Sequence, residues 1–296
     1  MNTAPTILET DAPGDKPLPL VVGQSATRAA RLEPYPRLRN GLSDFVALSA
    51  TKHHIHILTS FDVSAFAEFA AQCKTQKKRA PSIVAYAARC LGTVLIKNPE
   101  LMAARLGKNL LIPSAVHLVL TMEAKTLGGD AMPILVKLGD VDSKDLKTIG
   151  TELSERARFF KRNPIGSDRL FKAATWFAGR AAHTRRAAYF LAGCLPQTRR
   201  QMANFYTHVG FTSTTQFARG HGGWGVPIYP FTISMALGGM SKRPVVVGDE
   251  ILARECLDVT FSFDHAIVDG APATRFASDM AREMESGRLL AEYFSP

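Results

Sequence analysis

The sequence has little cysteine and no long apolar run, and each absence excludes a class of protein. Its four cysteines are far apart and show neither CxxC nor Cys/His ligand spacing. This pattern argues against a disulfide framework and a cysteine-based zinc site. No stretch of about 18 apolar residues lacks a charge, and the N-terminus has no basic segment followed by an apolar run. We therefore predict a cytoplasmic protein with reduced cysteines.

What the sequence does have is enough apolar residues for a core, and positive charge concentrated in one region. The 296 residues are 46% hydrophobic and 21% charged, proportions typical of one large globular domain or two small ones. The net charge is +10, and residues 156–205 hold eleven Lys/Arg against one acid, Asp168. Since the remainder is balanced, we expect any electrostatic partner to bind there.

The order of sequence patterns predicts strands interleaved with helices. Six prolines in residues 1–36 indicate an extended arm or leader, and we assign residues 37–296 to one folded domain. Strands are predicted at 54–60, 115–123, 132–138, 209–217, 231–237, 244–247 and 257–263, and helices at 63–74, 81–97, 273–285 and from a cap at Asp142 or Ser143 to 162. A basic, aromatic, helical insertion occupies about 163–207.

The segment that carries chemistry begins where the last strand ends. His265 follows the strand directly, and Asp269-Gly270 come four residues later, giving HxxxDG. A neutral imidazole at a strand end is placed to take a proton from a thiol, hydroxyl or amine. Acyl transfer from a thioester also needs a donor for the oxyanion, and the hydroxyl-rich segment 211–217 is the best candidate. By spacing alone this signal is weak, because an isolated histidine is more often structural.

The wider motif is more specific. The run Ser262-Phe-Asp-His-Ala-Ile-Val-Asp-Gly-Ala-Pro-Ala273 closely resembles the signature of the dihydrolipoamide acyltransferase catalytic domains of 2-oxo-acid dehydrogenase complexes, which are related in fold to chloramphenicol acetyltransferase. Blocks at 98–101, 132–136, 211–215 and 227–244 agree in order, so the resemblance covers roughly residues 50–160 and 208–290. It implies an α/β fold, a two-layer mixed-sheet sandwich. It also implies a homotrimer with the active site between subunits.

The resemblance implies a role for each residue of the site. His265 matches the general base, and Asp269 matches an acid that chiefly organises the site. Thr214 matches the hydroxyl that stabilises the tetrahedral intermediate, although Ser213 and Thr215 remain alternatives. The substrate would be coenzyme A or acyl-CoA, with no tightly bound cofactor and no metal.

Residues around this site are expected to line the substrate channel. The glycine-rich segment 220–225 has no phosphate-loop pattern and is interpreted as a flexible loop beside the channel. Gly270 is expected to permit a backbone conformation or a close approach that a Cβ would block. The predicted channel residues are Thr212, Ser213, Trp224 and Gly270.

Departures from the family leave the substrate open. Ala266 stands where a basic residue commonly follows the histidine, and no lipoyl domain is expected to precede the catalytic part. We predict a CoA-dependent acyltransferase that moves an acyl group from acyl-CoA or a carrier-bound thioester to a thiol, hydroxyl or amine. The alternatives are a dihydrolipoamide acyltransferase core that works with a separate lipoyl protein, and a non-catalytic trimeric scaffold that binds an acidic carrier protein.

Three interpretations of the basic insertion stay open. It is a solvated helical face, a site within 156–205 for an acidic acyl carrier or lipoyl protein, or a weak peripheral membrane contact through Trp176, Phe177, Tyr189 and Phe190. Nucleic-acid binding is not predicted, because no recognisable motif is present. Of His53, His54 and His56, only the last two share a strand face and no carboxylate pattern accompanies them, so no metal site is predicted.

Overall fold

The computed structural model describes residues 35, 39–127, 129, 131–165 and 169–294, so nearly all of the predicted arm at 1–36 lies outside the described residues. The α-helices span Arg39–Ser49 (α1), Ser64–Thr75 (α2), Ile83–Leu95 (α3), Leu146–Arg162 (α4), Arg169–Ala178 (α5), Ala182–Cys194 (α6), Pro196–Tyr206 (α7) and Gly270–Glu285 (α8). The strands span His54–Asp62 (β1), Ala104–Leu106 (β2), Asn109–Leu111 (β3), Leu118–Lys125 (β4), Ala131–Leu138 (β5), Val209–Ser213 (β6), Ile233–Val247 (β7) and Glu250–Asp264 (β8). This order confirms the predicted alternation of helices and strands.

Six of these strands form one mixed sheet. The order is β1-β8-β7-β6-β4-β5, in which β6 runs parallel to both neighbours and the other pairs are antiparallel. Strand β8 shows why the sheet has two different faces, because successive side chains of a strand point to opposite sides. Leu257, Val259, Phe261 and Phe263 enter the main apolar core, whereas Asp258, Thr260, Ser262 and Asp264 alternate with them. The polar face carries the site described below.

Helices cover the apolar face and complete a second layer. Helix α8 packs against β1, α4 against β4, and α3 lies between α4 and α8. Ser82 begins α3 by accepting a hydrogen bond from the backbone N–H of Ala85, and Tyr86 in its first turn is fully buried. Gly92 in the same helix approaches the backbone so closely that a Cβ there would lie 2.8 Å from the carbonyl oxygen of Val141. The predicted two-layer α/β sandwich is therefore confirmed.

Three local predictions were wrong, each for a structural reason. Asp145 caps α4, whereas Asp142 accepts the backbone N–H of Val116 and is not the cap. The strands predicted at 231–237 and 244–247 are one strand, β7, with a register shift between Leu237 and Met240. The strand predicted to reach residue 217 ends at Ser213, and a 3₁₀ turn follows it. Helix α1 and the β2–β3 hairpin were not predicted.

The basic insertion forms α5, α6 and α7 and is attached to α1. Arg185 of α6 is buried and donates from two guanidinium nitrogens to the two carboxylate oxygens of Asp44, at 2.7 and 2.9 Å. Asn40 donates to the carbonyl oxygen of Ala178 at the end of α5. Among the side chains described in the three helices, Ala178, Arg185 and Ala203 are the buried ones. The insertion therefore presents most of its surface to solvent.

Candidate active site

His265 lies directly after the end of β8, and backbone hydrogen bonds hold it there. The backbone N–H of His265 donates to the carbonyl oxygen of His53 at 2.8 Å, which continues the β1–β8 pairing by one residue. The N–H groups of Ile267 and Val268 then both donate to the carbonyl oxygen of Asp264 and close a turn. The imidazole is 48% exposed on this turn. A ring held in this way is accessible to a substrate.

An ion pair between Lys52 and the buried Asp264 stabilises the turn that carries His265. The Asp264 side chain is 2% exposed and accepts from Lys52 Nζ at 2.7 Å and from the backbone N–H of Ala266 at 3.2 Å. Lys52 Nζ also lies 5.7 Å from the centre of the Tyr206 ring, at the end of α7. A buried carboxylate without its cation carries a desolvation penalty, so this pair restrains the backbone beside His265. Lys52 was not predicted as a site residue, because it is 212 residues away from Asp264 along the chain.

The two residues that end the motif are exposed. Asp269 Oδ1 lies 3.7 Å from His265 Nδ1, beyond hydrogen-bond distance, and its side chain is 85% exposed. Asp269 is the N-cap residue of α8 but makes no side-chain cap hydrogen bond. A Cβ at Gly270 would meet nothing within 4 Å, and its φ is not in the left-handed region. The prediction that Gly270 permits a close approach or a special backbone conformation is therefore wrong for contacts within a single chain.

The hydroxyl groups of the segment 211–217 differ in whether the protein itself already engages them in hydrogen bonds. Thr212 hydrogen-bonds Tyr229, whose hydroxyl also contacts Thr121, and burial raises the pKa of Tyr229. Ser213 Oγ donates to Thr215 Oγ1 at 3.1 Å, and Thr215 Oγ1 donates to the carbonyl oxygen of Gly238 at 2.8 Å.

Thr214 is the available hydroxyl. The residue is exposed, and its Oγ1 makes a long 3.3 Å hydrogen bond to the carbonyl oxygen of Leu237. A ligand can replace such a bond at little cost, since long hydrogen bonds are weak. The strand predicted for 209–217 ends at Ser213, so Thr214 lies in the turn that follows the strand.

Within one chain His265 and these hydroxyls lie far apart. Phe263 pairs with Ile233, and Ser213 pairs with Leu237 further along β7. His265 lies two residues beyond Phe263 in the opposite direction, because β7 and β8 are antiparallel. At about 3.3 Å per residue, the imidazole and the hydroxyls are separated by roughly 20 Å along the sheet. A single substrate carbonyl cannot contact both groups of the same chain.

Hydrogen bonds at Gly223 join the glycine-rich segment to β7 and β8. The backbone N–H of Gly223 donates to Asp258 Oδ2 at 2.6 Å, and Gly239 donates to the carbonyl oxygen of Gly223 at 2.8 Å. A Cβ at Gly239 would lie 2.0 Å from the carbonyl oxygen of His221, so the loop approaches β7 where only glycine fits. Trp224 is 47% exposed and donates from its indole nitrogen to the carbonyl oxygen of Thr59.

Asp258 is the buried anchor of this segment. Its carboxylate is fully buried and accepts from Arg243 Nη1 at 2.7 Å, from Arg243 Nη2, and from Ser60 Oγ at 2.6 Å. Burial alone would raise the pKa of Asp258, but the hydrogen bonds from Arg243, Ser60 and Gly223 hold it below the ordinary value. This cluster was not predicted, because its members come from four separated segments of the sequence.

The histidines of β1 lie beside the site. His54 and His56 share a face as predicted, with ring centres 6.2 Å apart. His56 Nδ1 hydrogen-bonds Ser262 Oγ at 2.8 Å, and His54 Nε2 lies 3.4 Å from the carbonyl oxygen of Phe231. Burial, followed by the neighbouring His54, lowers the pKa of His56. Among the described residues, no three His, Cys, Asp or Glu side chains are grouped so that they could hold a metal ion.

The described chain is a two-layer α/β sandwich with an exposed histidine in HxxxDG after its last strand, and part of it is similar to known acyltransferase domains. Residues 229–291 match the family model described as 2-oxoacid dehydrogenases acyltransferase (catalytic domain). The dihydrolipoyllysine-residue acetyltransferase component of the pyruvate dehydrogenase complex from Rickettsia bellii is 39% identical over 64 residues, 22% of this chain. The match spans 15% of the length of that relative. The predicted resemblance is confirmed over this segment.

Solved structures extend the likeness to most of the chain at the level of fold. The dihydrolipoamide acetyltransferase of Azotobacter vinelandii superposes with a TM-score of 0.65 at 18% identity and covers 93% of this chain and 99% of that one. The cubic core of a pyruvate dehydrogenase multienzyme complex superposes with a TM-score of 0.64 at 20% identity, with the same shares of each chain. The fold of residues outside 229–291 is therefore that of these catalytic cores.

Proposed function

We propose that the protein is a coenzyme A-dependent acyltransferase whose site is completed between subunits of a homotrimer. The observation that carries the proposal is His265, which is restrained at the end of β8 and yet 48% exposed. The donor would be acyl-CoA or a carrier-bound thioester, and the acceptor a thiol, hydroxyl or amine. We place the activity in the cytoplasm, a proposal supported by four unpaired cysteines.

The residues support a reaction that needs only proton transfer and oxyanion stabilisation. His265 takes the proton of the acceptor as the acceptor attacks the thioester carbonyl carbon. Thr214 Oγ1 donates to the oxyanion of the tetrahedral intermediate. The carbon–sulfur bond then breaks, and the coenzyme A thiolate leaves and recovers the proton from the imidazolium. Asp269 Oδ1 lies 3.7 Å from Nδ1, beyond hydrogen-bond distance, and we give it no part in this proton exchange.

The separation of the two groups supports a site that is shared between copies of the chain. Since His265 and Thr214 of one chain are roughly 20 Å apart along the sheet, the hydroxyl must come from a neighbouring copy if both act on one carbonyl. The Azotobacter vinelandii structure accompanies a study of one serine, one histidine and one asparagine in the catalytic mechanism of that enzyme. Its asparagine follows its histidine by four positions, as Asp269 follows His265.

The proposal is tested by mixing two inactive variants. Purified protein should release free thiol from acyl-CoA with at least one acceptor of a panel that includes dihydrolipoamide. Thr214→Val should lower kcat by about 100-fold or more, with Ser213→Ala as the matched hydroxyl control. Co-expressed with His265→Ala, Thr214→Val should regain about a quarter of wild-type activity, because each random mixed trimer rebuilds a single site.

Two results would reject parts of this proposal. No thiol release with any donor or acceptor would exclude acyl transfer and favour the scaffold alternative. Activity that does not return on mixing, although each variant alone is folded and inactive, would exclude a site shared between subunits. Preference for dihydrolipoamide over other acceptors would select the lipoyl-dependent alternative.

Lys52 is expected to act as a positioning residue for His265. Lys52→Met leaves the buried Asp264 carboxylate without its cation and loosens the turn. We expect kcat to fall about tenfold while KM for acyl-CoA stays within about twofold, since a misplaced base weakens chemistry more than binding. Lys52→Arg should recover most of kcat. An equal change in KM and kcat, or no rescue by arginine, would contradict a positioning role.

A further inference from the structure

The outward side of α6 is apolar and uncovered in the described chain. Phe190 is 73% exposed and Leu191 65%, and Leu195 directly after the helix is 59% exposed. Ala187, Phe190, Leu191 and Cys194 recur at the i, i+3, i+4, i+7 spacing that places side chains on one side of a helix. We call Ala187, Phe190, Leu191, Cys194 and Leu195 the α6 face. Exposed apolar side chains grouped on one side of a helix favour an interaction site there.

The other side of α6 is fixed to the protein, so the exposed face has a defined direction. Arg185 is buried against Asp44 of α1, and the rings of Phe177 and Tyr189 pack edge to face at 5.6 Å, which ties α5 to α6. Phe190, the next residue after Tyr189, points away from this contact and is the more exposed of the two. The face is therefore presented by an anchored helix.

The helices that carry and adjoin the α6 face are rich in cations and contain no acid. Residues 169–206 contain seven Lys/Arg and no Asp or Glu. Arg185 is neutralised by Asp44, whereas Lys172, Arg180, Arg186, Arg199 and Arg200 are exposed. The guanidinium carbon of Arg180 lies 3.8 Å from the centre of the Trp176 ring, and Trp176 is itself 64% exposed. These side chains fit a ligand that is anionic and also accepts large apolar side chains.

An anionic lipid bilayer fits both requirements. Basic helices with Trp, Phe and Leu on one side bury those side chains at the boundary of headgroups and acyl chains. Arginine stems follow the apolar surface while the guanidinium reaches the phosphates. An acidic protein would satisfy the charge, but it would need a complementary apolar pocket for Phe190 and Leu191. None of the described helices is long and apolar enough to cross a membrane, so a contact through α6 is peripheral.

We propose that the α6 face docks on the surface of an anionic lipid bilayer, with Phe190, Leu191 and Leu195 in the interface and Arg180 and Arg186 at lipid phosphates. This association goes beyond acyl transfer and does not depend on it. It orients the chain with the insertion toward the lipid surface.

Cys194 provides a direct probe. It is the exposed cysteine on the α6 face, whereas Cys73, Cys90 and Cys256 are buried. An environment-sensitive fluorophore on Cys194 should shift to shorter wavelength with vesicles of phosphatidylcholine containing about a third phosphatidylglycerol, and not with phosphatidylcholine alone. The shift should decrease as salt rises, because exposed charges are screened. Co-sedimentation of unlabelled protein with the same vesicles measures the affinity.

Paired variants separate the two components of binding. Phe190→Ser with Leu191→Ser should weaken vesicle affinity about tenfold or more. Arg180→Gln with Arg186→Gln should weaken it about tenfold at low salt and less at high salt. Ile251→Ser is the matched control, since Ile251 is also 73% exposed but lies on the β7–β8 hairpin beside Asp249 and Glu250. The control should bind like wild type, and all variants should retain thiol release.

Several outcomes would overturn the proposal. These are no binding of wild type to the anionic vesicles, an equal loss with Ile251→Ser, binding that ignores phosphatidylglycerol content, and a change of oligomeric state in the Phe190/Leu191 variant. The last result would mean that a second copy of the chain covers the α6 face. Binding of a soluble acidic carrier protein through Phe190 with no vesicle binding would likewise reject lipid as the ligand.

Discussion

His265→Ala is expected to lower kcat for acyl transfer by at least about 100-fold and to leave KM for the acyl donor nearly unchanged. The imidazole is the only titratable group on the exposed turn 264–268 whose side chain is free of a hydrogen bond to the protein in the described structure. Removing it deletes the proton acceptor without disturbing the fold, because its backbone N–H still pairs with His53. Steady-state kinetics with acyl-CoA and the best acceptor measure the effect.

Two matched variants make this result specific. Asp269→Asn should change kcat by no more than about threefold, since the Asp269 carboxylate is 85% exposed and solvent screens its interaction with the imidazole. His183→Ala removes an exposed histidine from α6 and should have no effect. Undiminished activity in folded His265→Ala, or a loss as large in His183→Ala, would reject His265 as the base.

Local sequence patterns predicted helices and strands well where burial of one face produces both the pattern and the structure. Strand β8 alternates apolar and polar residues because one face of the sheet is covered by helices, and that alternation is visible in the sequence. The cap of α4 was misplaced because three acceptor residues stand close together, and the choice depends on a tertiary contact. Asp142 is engaged by Val116 N, which leaves Asp145 to begin the helix.

Only the part of the site whose residues are adjacent in sequence could be predicted. HxxxDG and the strand before it identify the turn that carries His265, because a strand end and its turn are adjacent in sequence. The pairing of Lys52 with Asp264 spans 212 residues and leaves no periodic signal. Likewise, which hydroxyl is available depends on Ser213 and Thr215 bonding to each other and to β7. The roughly 20 Å separation follows from strand register, which spacing along the chain does not reveal.

Arg243→Met is expected to lower the free energy of unfolding by about 3 kcal/mol at neutral pH, because it leaves the Asp258 carboxylate buried without its cation. Ser60 Oγ and the N–H of Gly223 still donate to Asp258, so the loss stays at the lower end for a broken buried pair. Arg254 is the matched control, since it lies opposite Arg243 in the hairpin and pairs with the partly exposed Asp62. Arg254→Met should cost less than about 1 kcal/mol.

The pH dependence of the stability loss in Arg243→Met shows whether the loss comes from the broken ion pair or from lost packing. In the wild type the pKa of Asp258 is held low, so the stability that its pairing contributes is present at neutral pH and declines as pH falls through that value. Without Arg243, burial raises the pKa of Asp258. Protonation of the carboxyl at lower pH then removes the cost of burying an unpaired charge in the variant. In chemical denaturation, the stability difference between wild type and Arg243→Met should therefore narrow as pH falls from neutral toward the ordinary pKa of an aspartate, about 4. A difference that stays constant would assign the loss to packing of the arginine stem alone.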